Sequence, residues 1–482
     1  MRITIRTSAA LAQWFAASAA LFAASAAFAA QPATLRVDYY HSGNARQEIF
    51  ALDRIVVEPL PWPGSLAQAI DDTNLGKYRF EVIDRATRHV LYSRGFASVF
   101  GEWETTGEAA GENRTFSESL RFPRPEGPVQ IVLEKRDKAN DFHELWSLVV
   151  DPRDMLVDDA KPPSAGALIA LQESGPPEDK VDFLILGDGY AAAERATCES
   201  DARRLMAILF ATEPFKTRQG DFNVWGLCPA AAESGISRPS LGVHRRSPVG
   251  ATYDAFRSER YVLTFENRAF RDIASQAPYE FVEIVTHSGT YGGGGIFGQY
   301  STVAADSLWA PYVFVHEFGH HFAALADEYF TSDVAYQAPS EKVEPWEPNA
   351  TALLDPEHLK WKDLVAAGTP LPTPWDEDGF VAREREIQAE RRKIRAEKRP
   401  ESEMDALFGR ERDEMEKRLG GEKYAGRVGA FEGANYEAKG YYRPQADCIM
   451  FTRDRVPFCA VCRHAIERVI DLYSKARSPR AR

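Results

Sequence analysis

Cysteine and methionine are scarce in this 482-residue chain, at five and six residues. Five is an odd number, so at least one cysteine stays free or binds something. None lies upstream of Cys198, which excludes an N-terminal thiol acting as a latency switch. Cys198 and Cys228 are spaced to close one loop. Cys459-Ala460-Val461-Cys462 has the look of a metal-binding pair, but only Cys448 and His464 remain nearby as further ligands. The expectation is therefore a disulfide between Cys448 and one of that pair.

Long apolar runs are also missing, with one exception. Arg2 and Arg6 precede an Ala-rich run from about Ala9 to Phe28, followed by the small-x-small stretch Ala27-Phe28-Ala29. This reads as a secretory signal peptide over 1–29. A secreted or periplasmic location follows, with no stable membrane insertion once the signal is removed. Positive charge is in deficit: 58 Lys and Arg against 71 Asp and Glu leave a formal net charge of -13. Such a balance excludes nucleic acid as a natural partner.

What is present divides the chain into a multidomain protein. Residues 31–155 carry short alternating runs such as Leu35-Arg36-Val37-Asp38-Tyr39 and Val129-Gln130-Ile131-Val132-Leu133. Their spacing predicts an N-terminal β-sandwich without chemistry of its own. A Pro-, Gly- and Ser-rich stretch over 156–178 reads as a linker. From 179 to 482, strands such as Val181–Leu186 alternate with helical patterns, which predicts an α/β catalytic domain. Within it, 23 of the 40 residues in 381–420 are charged, 12 basic and 11 acidic, so a solvated helical insertion broken near Pro400 is expected.

His316 and His320 lie four residues apart in a stretch with Pro311 near its start. On a helix that spacing puts both imidazoles on one face, within reach of one ion. Glu317 follows the first histidine, where a general base for an attacking water belongs. A zinc site needs a third protein ligand. Metzincins place a third histidine six residues beyond the second, but that position here is Ala326. Asp327 is the preferred third ligand, with Glu328 as the alternative, and His321 points off the ligand face. Downstream, Asp447-Cys448-Ile449-Met450 is similar to a Met-turn, in which Met450 would pack beneath the ion. Tyr441, Tyr442 and Tyr329 are candidates to stabilise an oxyanion. Tyr291-Gly292-Gly293-Gly294-Gly295 lacks the Gly-Lys-Ser/Thr of a phosphate loop. Glycines admit close backbone approach, so an edge strand through Gly293 and Gly294, running on to Thr302 and pairing with extended substrate, competes with a flexible loop.

The chain resembles the IgA-type metallopeptidases over almost its whole length. The resemblance rests on Tyr39 through Asn44 with Phe100-Gly101-Glu102-Trp103, on Leu186-Gly187-Asp188-Gly189-Tyr190, and on the glycine run. It also rests on His316 through Tyr329, and on Cys448-Ile449-Met450 with Phe458 through Cys462. It implies a β-rich N-terminal domain joined to a zincin-like, metzincin-like catalytic domain. It further implies one catalytic Zn2+ on His316, His320 and Asp327, Glu317 as base, and a protein or peptide substrate. An immunoglobulin substrate is not implied. Two rival readings are a zinc-containing recognition protein without proteolytic activity and a zinc amidase acting on cell-wall peptides.

Overall fold

The structure is a computed structural model that describes residues 31–332, 334–337 and 341–474. The expected signal peptide lies outside the described residues.

The N-terminal region is built from β1 (Ala33–Asn44), β2 (Gln47–Pro61), β3 (Tyr78–Asp84), β4 (Val90–Phe96), the short helix α1 (Val99–Trp103), β5 (Arg114–Pro123), β6 (Val129–Arg136), β7 (Phe142–Val150) and β8 (Val157–Asp158). They form two four-stranded sheets, ordered β5-β1-β2-β8 and β4-β3-β6-β7. Alternation along the strands turns Leu35, Val37 and Tyr39 of one sheet toward Phe80, Val82, Ile131 and Leu133 of the other, in one shared core. This region is not set apart from the rest: Pro32 to Arg482 form one unit. Arg36 and Arg54 both donate to Asp272, at 2.5 and 2.9 Å, and Asn267 Nδ2 donates to Ser119 Oγ at 2.8 Å.

A six-stranded sheet organises the remainder. Its members are β9 (Ile169–Gln172), β10 (Val181–Asp188), β11 (Phe222–Leu227), β14 (Phe281–Thr286), β15 (Gly293–Ile296) and β16 (Tyr300–Ala304), in the order β15-β16-β14-β10-β11-β9. The four central strands run parallel, and β9 and β15 are antiparallel edges. The small pair β12 (Ala251–Thr252) and β13 (Leu263–Thr264) lies between β11 and β14 in sequence. The strand β9 falls within the stretch expected to be linker. Every residue of β10 and β14 is buried, as expected for parallel strands covered on both faces.

The helices are α2 (Arg195–Leu209), α3 (Phe215–Arg218), α4 (Asn267–Ala274), α5 (Ala310–Ala323), α6 (Glu377–Ala396), α7 (Glu401–Gly420) and α8 (Ala460–Tyr473). A disulfide joins Cys198 on α2 to Cys228 just after β11, in line with their spacing. A last hairpin pairs β17 (Phe431–Ala434) with β18 (Glu437–Arg443).

The charged segment corrects the sequence reading. It forms α6 and α7, separated at Pro400 as expected, but it is not a solvated insertion. Phe380, Ile387 and Ile394 of α6, with Met404, Leu407, Phe408, Met415 and Leu419 of α7, are buried in the core that also holds α5. In α6 these apolar residues fall seven apart and in α7 at 404, 407, 408, 415 and 419, so a stripe too thin to dominate composition still covers one helix face.

Candidate active site

The helix α5 carries the site. It begins after Trp309 with Pro311 in its first turn, where the missing N–H costs nothing, and packs Phe314, Phe318 and Phe322 into the core. It stops at Ala324, whose φ of 55° is left-handed, a conformation more often given to glycine. The stop reverses the chain and carries Asp327 back over the helix. Three atoms then converge. His316 Nε2 and His320 Nε2 are 3.1 Å apart, and each lies 3.0–3.1 Å from Asp327 Oδ1. Bonds of about 2.0–2.1 Å at a tetrahedral angle place ligand atoms about 3.3 Å apart, so this triangle fits a zinc-sized ion.

The outer hydrogen bonds set the direction of each ring. His316 Nδ1 donates to the Ile449 carbonyl at 2.9 Å, and His320 Nδ1 donates to the Leu325 carbonyl at 2.5 Å. A carbonyl only accepts, so both Nδ1 atoms carry the proton and both Nε2 lone pairs face the centre. Two lone pairs and a carboxylate at this separation demand a cation between them. A proton serves when no metal is bound: burial opposes it, yet Asp327 and Glu317 push His320 up to about 9. Burial also works against charge on Asp327, but His320 and His316 hold its carboxyl well below the usual range.

Glu317 joins His316 and His320 in one cluster whose ligand-type atoms all lie within 4.8 Å of one another. Burial raises its pKa, with the two imidazoles and Arg260 pulling the other way. A half-buried carboxylate with a raised pKa beside imidazoles is suited to exchanging protons. His321 has a different task. It is fully buried, accepts from the Val282 N–H at 3.0 Å, and donates from Nδ1 to the Ile296 carbonyl at 3.2 Å. Burial holds its pKa down to about 3, so it stays neutral and ties α5 to the sheet.

Met450 is buried beneath the helix: a Cβ added to Gly319 would lie 3.1 Å from its Sδ. Its carbonyl accepts from the Glu328 N–H at 2.9 Å. Glu328 is turned away from the histidines, toward Asn349 and Cys462. Tyr329 stands at the site, where its hydroxyl accepts from Arg260 at 3.0 Å. Tyr441 is engaged elsewhere, its hydroxyl accepting from the Val343 N–H at 3.3 Å, and Tyr442 lies beside Glu432.

The glycines from Gly293 form the edge strand β15 and not a loose loop, but the strand ends at Ile296: Thr302 lies on β16, which turns back antiparallel to it. The backbone that approaches β15 closely is that of α5. A Cβ on Gly293 would meet Val313 Cγ1 at 2.5 Å, and one on Gly295 would collide with the Glu317 carbonyl. Gly294 faces Tyr261 on the other side. The outward groups of Gly293 are already paired: its N–H donates to the Arg260 carbonyl and its own carbonyl accepts from Val262. The Phe297 carbonyl accepts from Ala97. Between these two points, Gly295 lines the cleft.

That cleft has a volume of about 780 Å³. Glu317, His320 and Asp327 form its floor, and Lys77, Glu102 and Arg136 of the N-terminal region form part of its wall. A second recess on the far side of Glu317 is walled by Glu384 of α6 and by Glu411 and Met415 of α7. Two residues escaped the sequence reading. Tyr436, in a left-handed turn between β17 and β18, donates to Asp327 Oδ2 at 2.6 Å. Arg260, in an irregular segment, points to Tyr329. Neither belongs to a short motif, so no local signal marks them.

Two histidines and an aspartate converge on one point, with a half-buried glutamate beside them in a cleft, an arrangement whose chemistry suits hydrolysis. The sequence profile of IgA Peptidase M64 matches residues 169–470, and that of the Peptidase M64 N-terminus matches residues 27–147. The chain belongs to this peptidase family, and its substrate is accordingly a protein or peptide. No curated protein matched the chain. Among the described residues, no helix is long and apolar enough to cross a membrane.

Proposed function

We propose that the protein is a secreted zinc endopeptidase in which His316, His320 and Asp327 hold one catalytic ion and Glu317 is the general base. The observation that carries this reading is the triangle of Nε2, Nε2 and Oδ1 atoms, with both imidazole lone pairs turned inward by backbone carbonyls. In this reading the two N-terminal sheets are a β-sandwich and the catalytic region is zincin-like, with Met450 as its Met-turn residue.

Zinc held there supplies Lewis acidity toward a water and a scissile carbonyl. The protein's own groups do the rest. Glu317 takes a proton from the attacking water and returns it to the leaving amine. Tyr329 is the oxyanion donor: Arg260 occupies its oxygen as a donor, which leaves the phenolic proton for the developing charge. Tyr436 holds Asp327 Oδ2, so Oδ1 remains aimed at the ion. Extended substrate lies in the cleft beside Gly295, where Glu102 and Lys77 form part of the opposite wall. The Ala-rich N-terminus supports export as a signal peptide.

The test combines metal content with turnover. Purified protein should carry zinc and cleave casein or another unfolded protein, lose that activity to a chelator, and regain it with zinc. Glu317→Gln should lower turnover by about 10²–10⁴-fold with zinc still bound. Substantial hydrolysis by a clean Glu317→Gln protein would sink the assignment. Cleavage of peptidoglycan peptides but of no protein would favour an amidase, and zinc without any hydrolysis would favour a binding protein.

A further inference from the structure

Behind the catalytic helix lies a second cluster, made of Glu328, Cys448, Cys459 and Cys462. All four residues are buried, and their ligand-type atoms lie within 4.8 Å of one another. The expected disulfide is not formed: all three cysteines are free thiols. Cys448 Sγ and Cys462 Sγ are 3.9 Å apart, nearly twice the length of about 2.05 Å that an S–S bond requires.

The spacing suits a metal instead. Zn–S bonds of about 2.3 Å and Zn–O bonds of about 2.0–2.2 Å at tetrahedral angles separate sulfurs by about 3.8 Å, and sulfur from oxygen by about 3.5 Å. The observed separations are 3.9 Å for Cys448 to Cys462 and 3.4 Å for Cys462 to Glu328 Oε1. Four donors, three of them sulfur, in a closed and buried arrangement make a structural zinc site.

The surroundings are prepared for anionic ligands. The Cys459 N–H points at Cys448 Sγ at 3.2 Å, and the Cys462 N–H points at Cys459 Sγ at 3.4 Å, at the start of α8. Such amide donors supply hydrogen bonds that a metal-bound sulfur can accept. Asn349 Nδ2 donates to Glu328 Oε1 at 2.9 Å and orients that carboxylate. Glu328 Oε2 is buried without a hydrogen-bond partner, which in a closed core is costly unless a cation answers it. A disulfide between two of the cysteines would leave that carboxylate and the third thiol unanswered.

We propose that Cys448, Cys459, Cys462 and Glu328 bind a second, structural zinc ion that fixes the catalytic centre from behind. The two sites share backbone at two places. Asp327, the third catalytic ligand, is the residue before Glu328. Ile449, whose carbonyl orients His316, is the residue after Cys448. The Glu328 N–H also donates to the Met450 carbonyl, so both segments are clamped together. Pinning Glu328 and Cys448 to one ion pins Asp327 and Ile449 as well.

The experiment uses the full chain in two versions. Wild-type protein should carry two zinc ions, and a His316→Ala/His320→Ala double variant should keep one. X-ray absorption on that double variant should show sulfur neighbours at about 2.3 Å. A mercurial that titrates three thiols of the folded wild type should release one equivalent of zinc. Cys459→Ser/Cys462→Ser should lose one ion and weaken zinc binding at the remaining site by about 10–100-fold. If that variant does not fold, the double histidine variant and the mercurial titration decide. The proposal is overturned if the double histidine variant binds no metal, if its shell lacks sulfur, or if wild-type protein contains a disulfide among these three cysteines. The two sites fail separately. One zinc in wild type that persists in the double histidine variant refutes the catalytic ligands and supports the sulfur site. One zinc that vanishes there does the reverse.

Discussion

Replacing Tyr436 by Phe removes one hydroxyl and little else, since the ring can keep its packing against Tyr329, 5.6 Å away between centroids. The lost hydrogen bond is the 2.6 Å donation to Asp327 Oδ2, inside a buried site. A hydrogen bond to a charged group contributes about 1.5–3 kcal/mol. If that stabilisation acts on the ligand form of Asp327, zinc affinity should fall by about 10–100-fold. The assay is competition for zinc against a chromophoric chelator, with wild type and Tyr441→Phe in parallel. Tyr441 sits deeper in the hairpin and bonds Val343, so its variant should bind zinc at the catalytic site as wild type does. Turnover of the Tyr436 variant at saturating zinc should stay within about tenfold of wild type, because the lesion is in holding the ion and not in the chemistry. Unchanged zinc affinity with a collapse in kcat would refute this reasoning and make Tyr436 the oxyanion donor in place of Tyr329.

Three further outcomes follow from the structure. Gly295→Ala adds a Cβ against the Glu317 carbonyl and 3.0 Å from His320 Cβ; helix backbone cannot yield, so a cost of about 1–3 kcal/mol and a large loss of activity are expected. Wild-type stability and activity in that variant, by thermal melt and casein cleavage, would contradict the close packing of β15 on α5. Phe408→Ala should cost about 3–5 kcal/mol in chemical denaturation, since its ring packs on Tyr291 and Trp309; a change below about 0.5 kcal/mol would restore the solvated-insertion reading. Asp182, held by Trp225 and Asn223, is pushed up to about 7 by burial. A raised folded pKa means that folding takes up a proton, so wild type loses stability as pH climbs from about 4 to about 7. Asp182→Asn escapes that loss, and its stability relative to wild type should improve by on the order of 2–3 kcal/mol between pH 5 and pH 8. An equal difference at both pH values would remove Asp182 as the source.

The histidine pair was legible because its geometry is local. A spacing of four residues on one helix face suffices to bring two imidazoles together, whatever the rest of the chain does. The alternation of Leu35, Val37 and Tyr39 likewise announces a strand with one buried face. The apolar run from Val181 to Leu186 announces a strand buried on both faces. Asp327 was a candidate as the nearest carboxylate beyond His320, with Glu328 left open beside it.

Other features depend on contacts between distant segments. Tyr436 reaches Asp327 across 109 residues, and Ile449 reaches His316 across 133. The glycines of β15 are required by a helix that begins fourteen residues after Ile296, so their purpose is invisible until strand and helix are stacked. In α6 and α7 the composition is charged, but burial follows the thin apolar stripe, and only the partner surface shows which face is inside. The three C-terminal cysteines read as disulfide partners because a chain of letters cannot show that Glu328 comes to meet them. By itself, the sequence determined local periodicity, the helix-borne histidine pair and the family. The tertiary structure alone decided which groups from far along the chain complete each site, because convergence of that kind is set by packing and not by spacing.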